Sequence, residues 1–368
     1  MRRAFLLLAL LVVGALPLVS WPVTAQQEQE EMLPGTARRS IYAAYDMLGP
    51  RWQTTLLLNN TTRLPITVAP TVYSLDGAGI PLPLVPLQAH EHRRVDFREW
   101  IAPLGKDYQR GSLRLQFESV PFGLGAILSS VHEEKSQVVE AVLHSALGFK
   151  SSQLEAVWFA PGRDARVTVA VLNITDHSLN ANVSVTGEDG GLLEERVVPL
   201  APHQARFLDL RGASKREKPR VGGVSIRHGG QGGAIFAQGF VLDPSEGLAY
   251  GIPFTDPATL AAAKFEGAGV LLGAAGDHGH SGMRFQGRLL LRNISQAALT
   301  AEATLQRGQV KSSLGSISLQ AGEAREVKVP PGAAPQGDAA IGISIPHSGK
   351  PGDLIAQWFS VEDGGMVV

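Results

Sequence analysis

Apolar and polar residues alternate with a period of two through much of this chain. In Arg166-Val-Thr-Val-Ala-Val-Leu172, Val167, Val169 and Val171 share one face, with Arg166, Thr168 and Ala170 on the other. Leu299-Thr-Ala-Glu-Ala-Thr-Leu305 repeats the pattern with Thr300, Glu302 and Thr304 outward. Successive side chains of a strand point to opposite faces, so these runs predict strands with one buried and one wet face. Asp76-Gly77, Asp189-Gly190-Gly191 and Asn59-Asn-Thr-Thr62 supply the turns. With 41 Gly and 23 Pro there is little room for long helices. One short helix is predicted at Asp256-Pro-Ala-Thr-Leu-Ala-Ala-Ala-Lys264, which has a capping Asp and a first-turn Pro. Residues 133–147 have apolar spacing that would also suit a helix. They align with Gly247–Phe254, which carries Gly and Pro, so a strand is predicted there.

The strand pattern occurs three times. Leu87-Gln-Ala-His-Glu-His-Arg93 matches Leu200-Ala-Pro-His-Gln-Ala-Arg206 and Leu319-Gln-Ala-Gly-Glu-Ala-Arg325. Upstream lie apolar runs ending at Asn59, Asn173 and Asn293, which stand 28, 27 and 26 residues before those leucines. A fixed period indicates one folding unit made three times. Downstream, Gly222–His228 corresponds to Ile341–His347 and more loosely to Gly111–Phe117. These, with Ile235–Gln238, Leu354–Gln357 and Ala126–Ser129, read as the last hairpin of each unit. Short antiparallel strands at regular spacing predict an all-β chain of three tandem immunoglobulin-like β-sandwich domains. The expected boundaries are 41–150 (the divergent unit), 151–263 and 264–368. Units of this size match common domain lengths.

Residues 1–25 read as a signal peptide: Arg2 and Arg3, an apolar core over 4–19, and Val23-Thr24-Ala25 as a small-residue cleavage site. Export to the periplasm, cell surface or medium follows, with residues 26–40 as a flexible polar leader. The apolar core is shorter than the roughly 20 residues of a spanning helix, and no later segment is long enough. There are no cysteines, so no disulfide can brace the fold. Without Arg2 and Arg3 the chain carries 31 basic and 34 acidic residues. So even a balance gives no electrostatic reason for nucleic acid or an anionic membrane as partner.

The order of apolar strand, Asn with Thr or Ser two residues on, second alternating strand, Asp-Gly turn and Leu-x-x-x-x-x-Arg resembles secreted bacterial Ig-like repeats. The cell-adhesion-related (CARDB-like) domains are the nearest group. The resemblance implies surface or periplasmic scaffolding and adhesion, and it supplies no catalytic residues.

Candidate chemistry is sparse. The third unit carries an insertion relative to the second: 28 residues separate Phe265 from Asn293, against 19 from Leu154 to Asn173. Within it, Asp277, His278 and His280 offer a carboxylate and two imidazoles to a divalent metal. Trp52 and Trp100 are candidates for stacking on a sugar ring, whereas Trp158 and Trp358 read as packing. The recurring Arg93, Arg206 and Arg325 suit a role in the fold, as do the recurring Asn residues, which commonly bond their own turn backbone. No nucleophile elbow, zinc-protease, P-loop or dinucleotide motif is present. The expectation is therefore an exported, non-catalytic protein without a cofactor, contacting protein or glycan in adhesion, scaffolding or envelope spacing. A periplasmic or secreted binder of a glycan or divalent metal is the alternative.

Overall fold

The computed structural model describes residues 35–47, 49, 51–134, 137–160, 162, 165–210, 221–243, 248–261, 269–274, 285–307, 309–329 and 341–362. It is an all-β protein of antiparallel sheets, of the β-sandwich class. Six main sheets fall into three pairs.

The first pair uses β1 (Ala37–Asp46), β2 (Trp52–Asn60), β3 (Ile66–Tyr73), β4 (Gly79–Pro81), β5 (Val85–Leu87), β6 (His92–Asp96), β7 (Arg110–Ser119), β8 (Leu124–His132) and β9 (Val138–Val142). One sheet runs β1-β7-β3-β4 with β5 also on β3; the other runs β6-β2-β8-β9. The second pair comprises β10 (Gln153–Phe159), β11 (Arg166–Asn173), β12 (Leu179–Thr186), β13 (Leu192–Leu200), β14 (Ala205–Asp209), β15 (Val221–His228), β16 (Ile235–Asp243) and β17 (Leu248–Pro253). Its sheets are β10-β15-β12-β13 and β14-β11-β16-β17. The third pair has β18 (Gly269–Ala274), β19 (Phe285–Asn293), β20 (Leu299–Arg307), β21 (Val310–Leu319), β22 (Ala324–Lys328), β23 (Ile341–Pro346) and β24 (Leu354–Glu362), in the order β18-β23-β20-β21 and β22-β19-β24.

Alternation places the core between the sheets. Val167, Val169 and Val171 are buried inside the second pair, against Val224, Ile226 and Val183. Leu113, Leu115, Leu56 and Leu58 play the same part in the first pair, and Leu289, Leu291, Ile343 and Ile345 in the third.

Two expectations need correcting. The segments read as a closing hairpin lie in opposite sheets: β15 pairs with β10 and β12, while β16 pairs with β11 and β17. The chain therefore crosses over the sandwich edge at that turn. A short helix, α1 (Phe97–Ile101), also follows β6, its N terminus capped by the Asp96 carboxylate, which accepts from the Arg98 and Glu99 amides. The expected strand within 133–147 is β9. The expected short helix is α2 (Pro257–Ala261), where Asp256 accepts from the amides of Ala258, Lys150 and Ser151 and so ties the helix to the preceding linker.

Candidate functional site: the seams between the sheet pairs

One turn architecture is built three times. The Asn60 amide donates to the carbonyls of Leu64 and Gln88, both at 2.8 Å, and accepts from the Thr62 amide and hydroxyl. Asn173 and Asn293 repeat these bonds on His177 and Ala201, with Thr175, and on Ala297 and Gln320, with Ser295. The first member of the set is thus Asn60, not Asn59: Asn60 is fully buried and its neighbour half-buried. The turn it braces closes on an acceptor side chain. Glu91, Gln204 and Glu323 accept from the amides of Gln88, Ala201 and Gln320. Arg93 and Arg325 pair with Glu91 and Glu323, turn residues two positions earlier. Arg93 and Arg325 therefore rigidify their turns. His90 and His203 hold the left-handed backbone at φ 56°, where the third turn uses Gly322 at φ 75°.

That turn docks on the Asp-Gly turn of the preceding sheet pair, and this happens twice. Gly77, at φ 94°, lies so close to the Pro202 carbonyl that a Cβ would collide with it. A Cβ on Gly190 would stand 2.7 Å from the Gly322 carbonyl carbon. Beside these contacts the imidazole of His203 stacks on Tyr73 at 4.9 Å, and the Ala324 amide donates to the Glu188 carbonyl at 2.9 Å.

The seam between the second and third pairs holds a buried charge pair. Arg292, 4% exposed, sends its guanidinium into the second pair. It donates to Glu155 Oε2 at 2.6 Å, to the carbonyls of Ala156 and Val224, and to the Ser225 hydroxyl. Burial pulls this guanidinium below its ordinary pKa, and Glu155 opposes the shift. An Arg still stays charged at any working pH. Alongside, Phe359 stacks on Tyr250 at 5.1 Å and 8° and packs on Phe159 at 5.7 Å. Arg288 lies over the Phe159 ring and pairs with Glu326. Burial raises the Tyr250 hydroxyl's pKa far above the usual phenol value.

The seam between the first and second pairs has the same plan with different residues. Strand register equates Phe359 with Phe240, Arg288 with Thr168, Glu326 with Phe207, Phe159 with Asp46 and Tyr250 with Val139. An isopropyl group and a carboxylate thus replace the two rings that cover Phe359. A cleft of about 340 Å³ opens there, lined by all five of these residues together with Arg110, Ser130 and Arg166. This is near the lower end of the roughly 300–1,000 Å³ typical of ligand sites. Arg110 pairs with Asp46 and lies 4.9 Å over the Phe207 ring. Arg166 is exposed and has no ion-pair partner among the described residues.

The residues singled out from sequence lie elsewhere. Trp52 is 8% exposed, edge-on to His132 at 5.1 Å, and its indole packs with Val139 and Ala249, so it offers no free ring face for a sugar. Trp100 is half-buried on α1 against Phe97. Asp277, His278 and His280 lie outside the described residues. Among those described, no three His, Asp or Glu side chains gather as a metal site. No helix among them is long and apolar enough to cross a membrane. Sequence reasoning took Phe159 and Phe359, beside Trp158 and Trp358, as packing residues but missed Arg292 and Glu155. Their signal was available: a lone charge inside each of the apolar runs Leu289–Asn293 and Leu154–Phe159. The chain matches no protein-family model and no curated protein.

Proposed function

We propose that this chain is an exported, non-catalytic protein of three tandem Ig-like domains, acting in adhesion, scaffolding or envelope spacing through protein or glycan contacts. The observation that carries this reading is the seam built twice from the same turns, which fixes each sheet pair against the next. A spacer or scaffold needs such a fixed stack. The edge strands give it places to engage a partner. Strands β13 and β21 each have one hydrogen-bonded neighbour among the described residues. They expose Leu192 at 62%, Val197 at 66% and Val310 at 58%. An edge of this kind accepts an added strand, with backbone bonds supplying affinity and the side chains selectivity.

The test passes envelope and culture-supernatant fractions over the immobilised chain lacking residues 1–25, beside its Val197→Asp variant. Saturable retention of one protein or glycan is expected, and its loss in the variant would assign the contact to β13. Retention of nothing from either fraction would sink the adhesion reading.

A further inference from the structure

The two seams permit a comparison within one molecule. Where Phe359 is covered by the rings of Tyr250 and Phe159, its counterpart Phe240 meets Val139 and Asp46. Phe240 remains half-buried where Phe359 is 3% exposed. The place that protein rings occupy in one seam is open space in the other. Its lining is also more polar: Asp46, Arg110, Ser130, Arg166 and Thr168 border it. Its charged groups are two guanidiniums against one carboxylate, an excess of one positive charge. Asp46 is committed to Arg110, which leaves Arg166 as the cation facing the cleft with no ion-pair partner among the described residues.

We propose that this cleft is a binding site for a small six-membered ring carrying a carboxylate. The ring takes the place of the absent aromatic cover on Phe240. Its carboxylate pairs with Arg166, in the two-point geometry that guanidinium and carboxylate favour. The hydroxyl of Thr168 borders the same space and suits a polar substituent of the ring. A sugar acid and an aromatic acid share this chemistry. The site holds independently of whether the chain serves as a scaffold.

Isothermal titration of the chain with galacturonate and with benzoate tests this, with methyl galactoside and benzyl alcohol as neutral counterparts. At least one carboxylate should bind at 1:1, its neutral counterpart at least tenfold more weakly. Arg166→Gln should weaken binding at least tenfold; that side chain is exposed, so the variant should fold normally. Val139→Tyr, which restores the ring of the other seam, should abolish binding without lowering the thermal midpoint. If that variant fails to fold, Arg166→Gln decides alone. Binding of galacturonate only would assign a sugar acid, and of benzoate only an aromatic acid. No binding of either at millimolar concentration, equal binding of a neutral counterpart, or indifference to Arg166→Gln would overturn the proposal.

Discussion

Arg292→Met should be among the most damaging single changes in the chain. The guanidinium makes four hydrogen bonds across the seam: one to Glu155, two to backbone carbonyls and one to Ser225. Its removal leaves Glu155, 1% exposed, with only the Ser225 hydroxyl and the Gln153 amide as donors. Breaking a buried pair by removing one partner costs about 3–5 kcal/mol, mostly because the other charge stays buried and uncompensated. Replacing both partners removes that penalty, and a packed apolar pair is commonly neutral or better. Glu155→Leu with Arg292→Met should therefore recover most of the loss, with a coupling energy of about 2 kcal/mol or more in the double-mutant cycle. Urea unfolding followed by tryptophan fluorescence reads this directly, with Trp158 on the second pair and Trp358 on the third. A single variant within about 0.5 kcal/mol of wild type, or additive single effects, would refute a desolvated pair at this seam.

The corrected turn register makes its own contrast. Asn60→Ala should cost about 1–3 kcal/mol by orphaning the buried Thr62 amide and breaking the bonds to Leu64 and Gln88, and Asn59→Ala about 0.5 kcal/mol or less; equal losses in denaturant melts would restore Asn59 to the motif. Gly77→Ala should destabilise by about 1–3 kcal/mol, through a side chain at positive φ and its clash with Pro202; a neutral thermal midpoint would mean the first seam is loose. Burial lowers the pKa of His144, His228 and His347. The unfolded chain then binds more protons below the ordinary histidine value of about 6.5, so stability should be full above it and fall as pH drops through it. His228→Phe should flatten that fall in thermal scans between about pH 7.5 and 5, and an unchanged slope would discount His228.

The strands were legible because alternation is a local signal: Val167, Val169 and Val171 announce their face without reference to anything distant. The doublet Asn59-Asn60 was not resolvable locally, since both suit a turn and the choice is made by carbonyls at Leu64 and Gln88. The crossover between β15 and β16 was misread for a related reason. Two apolar strands joined by a Gly-rich turn look alike whether they pair with each other or join opposite sheets. Helix α1 was missed although Asp96 and Glu99 carry the capping pattern, because it is only five residues long, too short to show a helical period. The seams were the least legible part, yet Ala170-Val-Leu172 and Ile235-Phe-Ala237 are apolar on both faces, which is how a strand covered on both sides reads.

The face of the β6-β2-β8-β9 sheet turned away from its own core shows why covering matters. By register its Asn59, Gly125 and Ser129 stand where the seam faces of the later pairs carry Leu172, Phe236 and Phe240, or Arg292, Ile355 and Phe359. Arg94 reaches across it to the Thr55 hydroxyl. The larger apolar side chains are gone, and Leu57 and Val131 remain exposed at 36% and 40%. Isolated exposures of that size are ordinary for a wet surface. A head-to-tail contact between unlike faces has no internal limit and can extend indefinitely. Stacked units avoid this when an outermost face is made polar. Asn59, Gly125 and Ser129 make this face of the first pair less apolar than the seam faces of the later pairs. At 59, 125 and 129 the divergence of the first segment therefore falls on the face that forms a seam in the later pairs.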